Sequence, residues 1–141
     1  MTTASPAQLY ATLVGAALAI VGILGFFYDS GFATGSGLTH DHAFGVLAVN
    51  GWHNVLHLLT GLLGLICARR AARAYALCLG LAYVAIATWG FLATTDGAGT
   101  LLDLVPVNAE DNVLHLILGL TGLAAGAATP PAVAVPRGST A

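Results

Sequence analysis

Long apolar runs separated by brief polar stretches divide the chain into four segments, about Leu9 to Tyr28, Val46 or Asn50 to Ala68, Ala74 to Ala93, and Asn108 or Val113 to Ala128. Small residues recur along the first run at Gly15, Ala19, Gly22 and Gly25, which is helical spacing. Each run is close to the roughly 20 residues a helix needs to cross a bilayer core of about 30 Å. The pattern therefore predicts an all-α membrane protein with four transmembrane helices in an up-down-up-down bundle. The glycine-rich connections from Asp29 to Val49 and from Thr94 to Val107 predict irregular loops, and Pro130 and Pro131 end the last helix.

The polar residues within these runs recur in register. A shift of 58 positions lays NGWHNVLHLLTGLLGL from Asn50 onto NAEDNVLHLILGLTGL from Asn108, matching Asn54 with Asn112, His57 with His115, Gly61 with Gly119 and Gly64 with Gly122. Upstream, Gly15, Gly22, Gly25 and Phe26 fall opposite Gly80, Ala87, Gly90 and Phe91. The chain reads as two copies of a two-helix unit, about residues 9–68 and 74–129, within one transmembrane domain covering 1–129. Residues 130–141 read as a disordered cytoplasmic tail.

Composition sharpens the membrane reading. Hydrophobic residues make up 57% of the chain and charged ones 7%, far below the roughly 25% usual in soluble domains. Arg69, Arg70 and Arg73 cluster in the short link between the second and third helices, which the positive-inside rule places in the cytoplasm together with both termini. The outer connections carry Asp29, Asp41, Asp96 and Asp103 and no Lys or Arg. The expected location is the cell membrane, multi-pass, with the lipid bilayer as the first partner. A membrane-protein partner or a second copy of the chain is a further expected contact. No basic surface is available for nucleic acid, and no GxSxG elbow or phosphate-binding glycine motif is present, so an enzyme acting alone is disfavoured.

Helical geometry places Asn50, Asn54, His57, Gly61 and Gly64 within a stripe about 80° wide, with His53 at its margin. The matching stripe is Asn108, Asn112, His115, Gly119 and Gly122, with Asp111 at its margin. Asn50, His57, Asn54, Asn108, Asn112 and His115 thus form a candidate polar cluster near the extracytoplasmic side, because polar groups within a span turn away from lipid. The plainer reading makes Asn50, Asn108 and Asp111 helix caps and the rest interhelical hydrogen bonders. Gly61, Gly64, Gly119 and Gly122 serve close helix packing on either reading.

Two ligand-binding readings compete with it. His53 and His57 stand one turn apart, as do Asp111 and His115, and two facing pairs offer a Zn²⁺ or Cu²⁺ ion three nitrogens and a carboxylate oxygen. His57 and His115 at equal depth instead suit a b-type haem, although no basic pair stands outside to meet its propionates. His40 and His42 in the first outer connection are either auxiliary ligands or solvated residues. The molecular role most in keeping with the chain as a whole is an accessory or interaction component.

The pairing of VNGWHNVLHLLTGLLGL with VNAEDNVLHLILGLTGLAAG, spaced by an Arg-bearing link and an Ala/Gly-rich third helix, resembles a family of small four-helix bacterial membrane proteins, the domain of unknown function DUF4383. The likeness runs from about Ala7 to Ala128. It implies four spans, and it carries Asn50, His53, Asn54, His57 and Gly61 in the first motif and Asn108, Asp111, Asn112, His115 and Gly119 in the second. It implies no activity.

Overall fold

The structure is a computed structural model that describes residues 3–39 and 41–131. His40 and the tail from 132 onward, including Arg137, lie outside the described residues. Four helices carry most of the chain: α1 (Pro6–Gly25), α2 (Gly51–Cys67), α3 (Ala72–Ala93) and α4 (Ala109–Ala127). Two of them, α1 and α3, are long and apolar enough to cross a membrane, while α2 is a shorter apolar helix of 17 residues.

Local chemistry sets the ends of these helices. α1 starts at Pro6, earlier than the apolar run, because Ser5 and Gln8 form a capping box and proline suits the first helical position. α3 starts at Ala72, so Arg73 belongs to its first turn and not to the link. The Arg73 Nε donates to the Thr129 carbonyl at 2.9 Å. The Thr129 hydroxyl in turn accepts from the Ala7 amide at 3.0 Å, so one residue beyond α4 fastens the starts of α1 and α3.

The helices pack as two antiparallel pairs, α1 with α2 and α3 with α4, through glycines that bring backbones together. A Cβ on Gly15 would lie 2.9 Å from the Gly61 carbonyl, and one on Gly80 would lie 2.9 Å from the Gly119 carbonyl. The pairs meet in a core of Ala7, Tyr10, Ala11, Ala72, Tyr75 and Ala76. Tyr10 donates to the Leu118 carbonyl at 2.8 Å and Tyr75 to the Thr60 carbonyl at 3.0 Å. Gly64 and Gly122 make room for these phenols, since a Cβ on either would crowd the Tyr75 or Tyr10 hydroxyl. All four packing glycines therefore face helices of this same chain. Large apolar side chains, among them Leu13, Leu59, Leu81 and Leu120, cover the outward faces.

The two long connections, residues 29–49 and 94–107, differ from the irregular loops expected. Each holds an antiparallel hairpin, β1 (Asp41–Ala43) with β2 (Leu47–Val49) and β3 (Gly99–Leu101) with β4 (Val105–Val107). Strands of three residues are too short for alternation to stand out in a sequence. The turns give equally little signal. Leu102 and Asp103, at φ 56° and 54°, take the left-handed conformation without glycine, while the first turn uses Phe44 and Gly45.

Candidate functional site

Two asparagines start α2 and α4 and also join the two halves. The Asn50 Oδ1 accepts from the His53 amide at 2.9 Å, and its Nδ2 donates across to the Leu104 carbonyl in the second hairpin at 2.7 Å. Asn108 mirrors it, accepting from the Asp111 amide at 2.9 Å and donating to the Val46 carbonyl in the first hairpin at 2.6 Å. Each cap thus grips the turn of the hairpin that precedes the other helix. Asn54 and Asn112, one turn deeper, donate to the Asp29 carbonyl at 2.8 Å and the Thr94 hydroxyl at 3.0 Å. Their side-chain oxygens press on Gly25 and Gly90, where a Cβ would collide with them.

The correspondence breaks at His53 and Asp111. The Asp111 carboxylate accepts from the Asn108 amide at 3.1 Å and the Ala48 amide at 3.0 Å. The position equivalent to Ala48 is Pro106, which has no amide N–H to offer, and the residue equivalent to Asp111 on α2 is a histidine. His53 is not marginal: it is 3% exposed and sits inside the cluster.

Three imidazoles converge here. His53, His57 and His115 are all buried, and each offers a ring nitrogen within 4.8 Å of the others. Asp111, the fourth member of the ligand set considered from sequence, is not part of this group because its carboxylate is taken up in capping α4. The His53 Nδ1 lies 2.8 Å from the Ala48 carbonyl and its Nε2 lies 3.1 Å from the His57 Nε2. A carbonyl only accepts, so in a neutral ring His53 carries its proton on Nδ1 and presents a lone pair at Nε2. His57 then donates from Nε2, which leaves its Nδ1 as an acceptor. Among the described residues, neither the His57 Nδ1 nor the His115 Nδ1 has a hydrogen-bond partner.

A groove of about 470 Å³ runs from this cluster to the molecular surface between α2 and α3, beneath the second hairpin. Trp52 and Leu56 on one wall and Ile86 and Trp89 on the other line it, and Leu101 roofs it. At its inner end stands Tyr83, whose ring lies 4.9 Å from that of His115 and whose hydroxyl has no partner among the described residues. Neither Tyr83 nor the groove was visible to sequence reasoning. Their only trace is that Tyr83 falls opposite Leu18, an aromatic hydroxyl where the corresponding segment has an aliphatic side chain.

A model of the domain of unknown function DUF4383 matches residues 8–128. The chain belongs to the DUF4383 family. That match covers α2, α3, α4, all of α1 except Pro6 and Ala7, and every residue of the cluster, so the histidines and asparagines lie within the DUF4383 domain itself. No curated protein and no solved structure matches the chain. His42, the described member of the His40/His42 pair, is exposed on β1 and lies apart from the three buried rings.

Proposed function

We propose that this DUF4383 protein is a four-span accessory membrane protein that holds one zinc or copper ion on His53, His57 and His115. The observation that carries this reading is three buried imidazoles, each with a ring nitrogen within 4.8 Å of the others. Two nitrogens on one tetrahedral zinc at about 2.0–2.1 Å stand about 3.3 Å apart. The 3.1 Å between His53 and His57 is close to that separation. Neutral imidazoles suit both metals, and three protein ligands leave a fourth position for another molecule. A haem between His57 and His115 is less favoured, because the His53 ring stands 4.3 Å from one and 6.0 Å from the other, in the path of a macrocycle.

The membrane placement extends from α1 and α3 to their partners. α2 and α4 lie alongside them, and at about 1.5 Å per residue they are roughly 26 and 28 Å long before the hairpins are added. Their outward faces carry Leu59, Leu63, Ile117 and Leu120, all more than half exposed. With Arg69 and Arg70 cytoplasmic, the caps, hairpins and histidines belong to the extracytoplasmic half. The two-unit reading draws support from paired contacts: Tyr10 with Leu118 against Tyr75 with Thr60, and Asn50 with Leu104 against Asn108 with Val46.

Elemental analysis of protein purified in mild detergent tests the metal. The expected result is about one zinc or copper per chain, lost in His115→Ala and retained in Asp111→Asn. Absence of stoichiometric metal from the wild type sinks the proposal, and a Soret band in its absorption spectrum moves the assignment to haem.

A further inference from the structure

We infer that Asp111 is a positioning residue for His53, acting from α4 through Ala48 of β2 to fix which nitrogen that imidazole offers to the cluster. The consequence for metal affinity rests on the reading above, whereas the fixing of the ring does not. Ala48 is buried between the two side chains: its N–H donates to the Asp111 Oδ2 at 3.0 Å, and its carbonyl lies 2.8 Å from the His53 Nδ1. A carbonyl only accepts, so His53 gives its Nδ1 proton to Ala48 and keeps a lone pair on Nε2. That lone pair faces His57, whose Nε2 lies 3.1 Å away.

A ligating histidine is held in this way when its second nitrogen donates to a carbonyl, which sets both the tautomer and the plane of the ring. Among the described residues, His53 is the one member of the three with its Nδ1 so held, since the Nδ1 of His57 and of His115 has no partner. The carbonyl is useful only if it stays in place. Asp111 and Asn108 supply that constraint from the start of α4, with Asn108 donating to the Val46 carbonyl and Asp111 accepting from the Ala48 amide two residues on.

Capping alone does not account for Asp111. Its bond to the Asn108 amide closes the capping box of α4, but its bond to Ala48 spans 63 positions and adds nothing to that cap. Nor does the hairpin require it. Pro106 pairs with Thr100 in the second hairpin as Ala48 pairs with His42 in the first, although proline has no N–H to give. The repeat positions of Asp111 and Ala48 are His53 and Pro106, a couple with neither a carboxylate nor an N–H. The carboxylate thus occurs on the helix that holds the strand leading into α2, where His53 stands.

Nitrogen-15 NMR of histidine-labelled, metal-free protein in detergent reads the tautomer, and competition with a chelator for zinc reads the affinity. The wild type is expected to show His53 as a single tautomer protonated on Nδ1. Asp111→Ala releases the strand, and Ala48→Pro removes the N–H while keeping the carbonyl, as Pro106 does in the second hairpin. Each is expected to give a mixture of His53 tautomers and about tenfold weaker zinc binding, the usual scale for losing an outer-shell partner. Asp111→Asn keeps an oxygen able to accept both bonds and is expected to retain the single tautomer and the wild-type affinity. Adding Asp111→Ala to Ala48→Pro should weaken zinc no further, because both remove the same link. A wild-type His53 protonated on Nε2, an unchanged tautomer in both single variants, or affinity losses that add in the double variant overturns the inference. A wild type that binds no zinc refutes the metal reading instead, and the tautomer measurement still decides the role of Asp111.

Discussion

Individual residues in this protein act in more than one way at once, and their substitution costs follow from that. Asn50 caps α2 and holds the opposite hairpin, so Asn50→Ala removes both a cap and a buried donor. A loss of about 1–2 kcal/mol is expected, from capping energetics, measured as a lowered unfolding midpoint in detergent. Gly25→Ala and Gly90→Ala push a methyl into the Asn54 and Asn112 side chains and are expected to cost about 1–3 kcal/mol each, as overpacking does. Equal stability of the Gly25→Ala protein and the wild type would show that Asn54 moves aside freely. The caps could be read in the sequence because Asn at a helix start has a local partner. The second bond that each Asn makes could not, because Leu104 and Val46 lie more than fifty positions away.

At the level of elements, the two helix pairs are joined by tyrosine hydrogen bonds as well as by apolar packing. Tyr10 and Tyr75 reach across to carbonyls of α4 and α2, and their rings lie 6.4 Å apart. Tyr75→Phe leaves the ring in place and removes the bond, with an expected loss of about 1 kcal/mol. A double-mutant cycle with Tyr10→Phe should give a coupling distinguishable from zero, since the phenols touch the same core; strict additivity would indicate that the pairs are held independently. The helices themselves were legible from the apolar runs and small-residue spacing. Helix starts were less so where a capping box or an Arg contact outweighed hydropathy, as at Ser5 and Arg73. The hairpins escaped notice because three-residue strands and a Leu102–Asp103 turn leave almost no pattern.

For the whole molecule, the proposed topology places Ser36 and Gly97 outside the cell and Arg70 inside. Single cysteines at those positions, in a background lacking Cys67 and Cys78, should react with an impermeant maleimide on intact cells at the first two sites and only after lysis at the third. Labelling of all three on intact cells would refute the four-span arrangement. Metal addition to the apo protein is expected to raise its unfolding temperature, because a ligand that binds only the native state stabilises it by mass action. The same addition to His57→Ala protein should leave the temperature unchanged. The sequence by itself determined the family, the four helical segments, the caps and the glycine faces, since each of these is written in local spacing and composition. Only the tertiary structure decided that His53 joins His57 and His115 while Asp111 turns to cap its helix, and that Tyr83 closes an apolar groove beside them. Those relations depend on how four helices and two hairpins converge, and periodicity along a single helix carries no information about which side chain a neighbouring helix will meet.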